Sequence, residues 1–460
     1  MLKLWNTATR SLKEFKSIKK GKVGMYACGP TVYNPATIGN LRTYIFEDVL
    51  HRTLALFGNK VHHVMNVTDV GHLVGDGDMG EDKVEMTAAK EGKSAWDIAK
   101  LYEDRFVHDL ERLNVTVPSG KDRPHATDYI KEQINLVKKL EKKGFTYRTS
   151  DGIYFDTSKF KEYGKLSGQK LEEKEAGARV EVNEEKYHPA DFALWKLSPS
   201  TSSGSKRQME WESPWGVGFP GWHAECSAMS EELLGQPFDI HCGGVDLVPV
   251  HHENEIAQSE AAFGKPLANY WLHGEFLLVD GKRMGKSEGN AYTLDDLIAK
   301  GFDPLAFRYY CLGTHYRSKL NFTWEGLEGA QNALRKLHTE ARRLSIGKGK
   351  KMPSAFVEAL EDDLNTPKAL AAVWDMLKSG SSEEEKGAML AQMDRVLRLG
   401  LEEAVGQSIA IPDEIRDMAE ERQNARQNKD WKKSDELREA ITAKGWIVED
   451  AKEGYELHSE

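Results

Sequence analysis

Cysteine is scarce in this chain. Four residues, Cys28, Cys226, Cys242 and Cys311, are scattered over 460 positions. That is no disulfide framework, and with no C-x-x-C pair there is no compact zinc module either. The cysteines are expected to be metal ligands or reduced core residues, and Cys311, within Phe307-Arg308-Tyr309-Tyr310-Cys311-Leu312, reads as core. Long apolar runs are also missing. None reaches the roughly 18 residues of a membrane span, and Met1 to Leu12 has no apolar segment of the kind that begins a secretory signal. A cytoplasmic protein with no membrane contact is expected. Excess basic charge is absent too: the formal net charge is -10, which excludes a general nucleic-acid coat protein but permits a large acidic enzyme with local basic RNA contacts.

What is present centres on His251-His252-Glu253-Asn254-Glu255. On a helix His251 and Glu255 project from one face, one turn apart. Joined by Cys28 and Cys226 they form a thiolate, imidazole and carboxylate set that suits zinc, and a zinc with thiol affinity suggests a thiol substrate. The same residues also read as a solvated polar helix start with two buried cysteines.

Val23 to Cys28 reads as a strand, Leu41 to Phe57 as a helix after the turn-rich loop from Gly29 to Asn40, and Lys60 to Val70 as a strand. A second unit repeats the pattern, with Phe238 to Cys242, a helix from about His252 to Phe263, and Tyr270 to Asp280. Two β-loop-α-β units imply a parallel sheet with ligands at the carboxyl ends of its strands. The expected divisions are 1–125 and 216–280 as halves of a Rossmann-like domain, 126–215 as a connective insertion, and 281–325 as a loop and stem-contact region. Residues 326–405 read as a helical bundle and 406–460 as a small α+β module. Ser198 to Ser205 reads as a flexible loop.

Two segments decide the class. Pro35-Ala36-Thr37-Ile38-Gly39-Asn40 precedes the first helix and resembles the HIGH signature of class I aminoacyl-tRNA synthetases; Arg283-Met284-Gly285-Lys286-Ser287 follows the last strand and resembles their KMSKS signature. Around them, Cys28 to Tyr33, Asn66-Val67-Thr68-Asp69, Glu175 to Arg179, Gly221 to Ser227, Phe238 to Gly244, His251 to Glu255 and His315 to Ser318 narrow the resemblance to the cysteinyl-tRNA synthetase family, over nearly the whole chain.

The resemblance implies an α/β class I fold, a Rossmann-like parallel sheet split by an insertion and followed by a helical bundle and a small C-terminal module. It implies ATP with Mg2+, L-cysteine and tRNA(Cys) as partners, and one zinc per chain held by Cys28, Cys226, His251 and Glu255. Since four protein ligands usually close a structural zinc, Glu255 is expected to loosen when the substrate thiol arrives. Thr31, Thr68, Trp222, His241 and Asp246 would surround the amino acid, with Asp246 meeting its ammonium. Ile38, Gly39, Asn40, Met284, Lys286 and Ser287 would bind ATP; Lys286, Thr37 and Asn40 would be catalytic. Gly285 and Gly289 would let the loop close over the nucleotide. In the terminal module Arg426, Trp431, Asp435 and Asp450 would meet tRNA. A monomer is expected.

Four positions depart from the family pattern: Arg283 for the first lysine and Gly285 for the first serine of the KMSKS signature are mild changes, and two others matter more. Asn40 replaces the second histidine of the HIGH signature, and Thr37 replaces the first with a short hydroxyl donor. Either adenylation is slower, or a neighbour such as Lys22 or Arg42 compensates. Two rival readings remain: a ligase passing cysteine to an amino sugar, which lacks a terminal anticodon module, and a catalytically silent RNA-binding protein.

Overall fold

The computed structural model describes residues 1–73, 82–168, 183–198, 207–285, 288–347, 351–407, 411–451 and 454–459. A hairpin of β1 (Lys3–Asn6) and β2 (Ser11–Glu14) precedes β3 (Lys22–Ala27), α1 (Ile38–Leu56), β4 (Lys60–Met65), α2 (Lys83–Glu91) and α3 (Ala95–Arg112). Val23, Met25, Tyr26 and Ala27 of β3 are all buried, as befits a parallel strand covered on both faces. α1 begins earlier than expected because Thr37 caps it: its hydroxyl accepts from the Asn40 amide while Asn40 Oδ1 accepts from the Thr37 amide. β4 ends at Met65, short of the expected Val70, because Asn66 turns its side chain to the Gly29 amide at 2.9 Å.

The segment between the halves of the sheet carries α4 (Ile130–Lys142) and strands β5 (Thr146–Arg148), β6 (Gly152–Phe155), β7 (Phe192–Leu197) and β8 (Gly218–Pro220), in an antiparallel sheet of that order. Phe155, Leu194 and Trp195 fill its core. β8 runs directly into α5 (Trp222–Leu234), so the last strand of the insertion aims the helix that bears Cys226.

The chain then returns through β9 (Phe238–Gly244), α6 (Glu253–Phe263) and β10 (Ala268–Gly274). The sheet order is β10-β9-β3-β4, all parallel, with Cys242 beside both Ala27 and Leu272. The expected strand from Tyr270 to Asp280 breaks at Glu275 and Phe276, whose carbonyls each accept from the Arg42 guanidinium at 2.7 Å. Beyond the break lie β11 (Leu277–Val279), β12 (Lys282–Arg283), α7 (Leu294–Ala299), α8 (Pro304–Leu312) and β13 (Leu320–Phe322). A fully buried Arg308–Asp48 pair at 2.6 Å ties α8 to α1.

The remainder is helical as the apolar spacing implied: α9 (Trp324–Arg343), α10 (Ser354–Glu361), α11 (Thr366–Lys378), α12 (Glu383–Leu397), α13 (Leu401–Ala404), α14 (Asp413–Gln427) and α15 (Trp431–Ala443), closed by the hairpin β14 (Trp446–Asp450) and β15 (Tyr455–Ser459). The chain forms two compact units, one of residues 1–328 and 354–371, the other of residues 329–353 and 372–460. The first takes a piece of the stretch read as bundle, because Asp363 accepts from the Trp5 amide, the Tyr316 hydroxyl and Arg317 at 2.6–2.8 Å. Among the described residues no helix is long and apolar enough to cross a membrane.

Candidate active site and metal centre

The carboxyl ends of the parallel strands bring together residues far apart in sequence. Cys28 directly follows β3, and Cys226 lies on α5. His251 lies in a widened, π-helical turn over Val248–His252, two residues before α6 begins, and Glu255 is in the first turn of that helix. The four ligand atoms lie within 4.8 Å of one another, all on buried residues. His251 Nε2 stands 2.9 Å and Cys28 Sγ 3.9 Å from Glu255 Oε1. Ligands on a tetrahedral zinc stand roughly 3.3–3.8 Å apart, so the donor set fits that ion. Cys28 and Glu255 also belong to a second grouping, with His241 and His252. The first grouping offers two thiols, and three of its members line an open cavity, as a site that exchanges a ligand requires.

Histidines back this cage. His241 Nε2 is 2.9 Å from Glu255 Oε2, His252 Nδ1 is 2.8 Å from His273 Nε2, and His223 Nδ1 is 3.0 Å from His251 Nδ1. Burial opposes every charge here, yet the groups offset it for one another. Glu255 is held down by His241 and His251, and His251 is pushed up by Glu255 and Cys226. Burial raises Cys28; at Cys226 the hydrogen bond from Cys28 and the charge of His251 outweigh burial and draw the thiol down. The chain thus already favours one thiolate and one carboxylate before any cation is considered. Cys242, bonded to the Tyr26 carbonyl at 3.5 Å, and Cys311, pushed up to about 12 by burial, stand outside the cage.

The cavity, of about 370 Å³, is lined by Cys28, Thr31, Thr37, Asn40, Thr68, Trp222, Cys226, Asp246 and His251 among others. Trp222 stacks on His251, with ring centroids 4.4 Å apart, and on His72 at 4.5 Å. Thr68 donates to Glu225. His241, in the middle of β9, is fully buried against Glu255 and stacked on Trp271.

The two signature segments are partly described. Ile38 is buried and its amide bonds the Tyr292 carbonyl at 2.9 Å. A Cβ on Gly39 would meet Met284 Sδ at 3.4 Å, so the two signature segments touch there. Asn290 holds the second segment, accepting from the Gly285 amide and donating to the Arg283 carbonyl. Lys286 and Ser287 lie outside the described residues, as do Glu175 to Arg179 and most of the Ser-rich loop. The Thr37 hydroxyl donates to Asn40 Oδ1 at 2.8 Å, so that hydroxyl is spent on capping, and both residues line the cavity. Neither neighbour suggested as compensation serves. Arg42 is consumed by carbonyls of Glu275, Phe276, His315 and Ser318, and Lys22 starts β3, at the opposite end of the sheet.

Sequence reasoning missed His72 and Lys83. Both line the cavity, and His72 bonds Thr31 Oγ1 at 2.8 Å and Lys83 Nζ at 2.9 Å. His72 comes three residues after the Asn66 to Asp69 motif, which was a usable signal; Lys83 carried none. In the second unit Asp450 pairs with Arg426 at 3.0 Å and with the buried Arg422 at 2.8 Å, Arg426 lies over the Trp431 ring, and Asp435 is 3.7 Å from Arg438.

Comparison with known proteins bears on this arrangement. Residues 14–332 match the family model of the class I (C) tRNA synthetase catalytic domain, and residues 355–399 match the DALR domain. In fold the chain is similar to a methionyl-tRNA synthetase of Mycobacterium tuberculosis (15% identity, TM-score 0.52, covering 84% of this chain and 91% of that one). It is also similar to a leucyl-tRNA synthetase of Agrobacterium radiobacter (12%, TM-score 0.59, covering 85% and 86%). The fold and site therefore define a class I aminoacyl-tRNA synthetase. The chain is 49% identical to cysteine–tRNA ligase 1 of Burkholderia lata, over 99% of this chain and 96% of that one, and 42% identical to the Thermus thermophilus cysteine–tRNA ligase, over 98% of each. It belongs to the cysteinyl-tRNA synthetase family.

Proposed function

We propose that Cys28, Cys226, His251 and Glu255 hold a zinc ion, and that this metal site selects cysteine in the reaction of the family. That reaction is cysteine–tRNA ligation: the amino acid is activated with ATP to its adenylate, and the aminoacyl group is passed to the 3′ end of tRNA. The observation that carries the metal reading is the four buried ligand atoms within 4.8 Å, three of whose residues line the cavity. Bound there, zinc would bind the substrate sulfur as thiolate, where a serine hydroxyl is a far poorer ligand.

The chain's own residues do the rest. Glu255 is anchored from behind by His241, so its other oxygen can move without stranding the carboxylate. Trp222 forms an aromatic wall beside His251, and Asp246 lines the cavity as the carboxylate for the substrate ammonium. The substrate carboxylate attacks the α-phosphate and pyrophosphate leaves, a step governed by placement and charge neutralisation rather than by a protein nucleophile. Lys286, with Mg2+ on the nucleotide, neutralises the phosphates. Asn40 donates from the start of α1, and Ile38, Gly39, Met284 and Ser287 are assigned to ATP binding. Arg426, Trp431, Asp435 and Asp450 form the tRNA(Cys)-reading face of the terminal module, on a monomeric chain.

Cysteine-dependent ATP–pyrophosphate exchange with zinc analysis tests this. One zinc per chain and exchange that ignores serine are expected, and metal-free protein that discriminates cysteine from serine equally well would overturn the metal reading.

A further inference from the structure

The amino ends of β3, β4 and β9 face away from the site described above and open on a separate cavity of about 700 Å³. Its lining includes Lys19, Lys22, Lys60 and Lys121, with His51 and His63. Lys22 and Lys60 are register partners in the parallel pair of β3 and β4, so their side chains start about 4.8 Å apart. The Lys22 amide bonds the Lys19 carbonyl at 2.8 Å and the Lys60 amide bonds the Gly21 carbonyl at 2.9 Å, which fixes Lys19 to the same corner. Like charges facing one another across strands are unfavourable without a counter-charge between them. Two carboxylates, Asp122 and Asp239, also line this cavity, and both are already hydrogen-bonded. Asp239 accepts from the amides of Ile18 (2.6 Å) and Gly24 (2.8 Å), Asp122 pairs with His62 (2.9 Å), and Asp48 is held by Arg308 (2.6 Å) and Arg52 (2.8 Å).

The imidazoles supply an independent observation. His63 is 8% exposed, and neither of its ring nitrogens has a hydrogen-bond partner; Nδ1 of His51, whose ring centroid is 5.5 Å away, has none either. Burial pushes His63 down to about 3 and lowers His51 as well, so both rings are neutral, each with one N–H to give. A buried N–H left without an acceptor is costly.

We propose that this cavity is a second ligand site, for anions of the phosphate class, with Lys22 and Lys60 countering the charge, Lys19 and Lys121 at the rim, and the His63 ring part of the lining. It shares no lining residue with the metal-bearing cavity. Small phosphate anions and the phosphodiester backbone of RNA offer the same chemistry, and the experiment separates them.

Intact protein saturated with a non-hydrolysable, phosphate-free cysteinyl-adenylate analogue is titrated with labelled inorganic pyrophosphate by equilibrium dialysis, beside a Lys22→Gln/Lys60→Gln variant. The wild type should bind one equivalent more than the variant, or bind it roughly tenfold or more tightly. Both lysines are exposed, and exchange activity kept within about twofold shows that the variant is folded. A parallel titration with a short single-stranded RNA identifies the source: competition by RNA at the same equivalent assigns the site to a phosphodiester backbone, and none assigns it to small anions. Identical pyrophosphate and RNA binding by wild type and double variant would overturn the proposal.

Discussion

The two ends of one parallel sheet differ in how their polar groups are matched. At the carboxyl end Cys28, Cys226, His251, Glu255 and His241 lie against one another, and each charge is held by a neighbour of opposite tendency. At the amino end lysines stand side by side, and buried imidazoles have nitrogens with nothing to bind. Both ends are built from strands β3, β4 and β9, so local structure does not account for the contrast. A matched cluster is preorganised to receive a cation and a thiolate; an unmatched one of positive character is organised to receive an anion.

The strongest way to break the carboxyl end is Cys226→Ala, expected to remove zinc and to lower cysteine-dependent exchange by more than the roughly 10–100-fold that losing a group behind a ligand costs. Metal analysis alongside exchange checks both. Next comes His241→Ala, whose effect should stay within about 10–100-fold and appear as weakened zinc binding. If KM for cysteine rises while zinc content holds, His241 touches substrate rather than Glu255. A smaller effect tests the amino end through pH. Burial holds His63 at about 3 in the folded chain, below its ordinary value of about 6.5. Between those values the unfolded chain binds a proton that the folded chain refuses. The stability concerned is therefore present above about 6.5 and lost as pH falls toward 3. His63→Gln should flatten the fall of melting temperature with acidification, and an unchanged slope would assign the acid sensitivity to other groups.

The smallest expected effect concerns the point between the signatures. Thr37→Ala removes a helix cap and should cost about 0.5–2 kcal/mol in urea unfolding. It should change exchange by less than about tenfold, since the Thr37 hydroxyl is already given to Asn40. A loss near 10²-fold or more would show that the hydroxyl acts in the transition state after all.

Much of the fold could be read from local pattern. The apolar run of β3, the helical spacing of α1 and the repeat of strand, turn and helix through β9 and α6 follow from burial periodicity, and their bounds shift by a few residues where a side chain intervenes. Thr37 extended α1 by capping it, and Arg42 split the last long strand by binding its carbonyls. Neither effect has a periodicity. The position of His241 had no local signal either: its place in β9 and the packing of α6 set it against Glu255, at 2.9 Å.

Residue chemistry and short-range spacing, written along the chain, were enough for the donor types of the candidate metal site, the two signature segments, and the order of strands and helices. Only the tertiary structure decided that His251 enters from a widened turn, that His72 and Lys83 reach the cavity, that Lys22 lies far from the reaction it was invited to assist, and that it stands instead beside Lys60. Those placements depend on which strand lies next to which and on which of its ends a residue occupies. That is settled by packing between segments more than a hundred residues apart, as between β3 and β9, where no local signal extends.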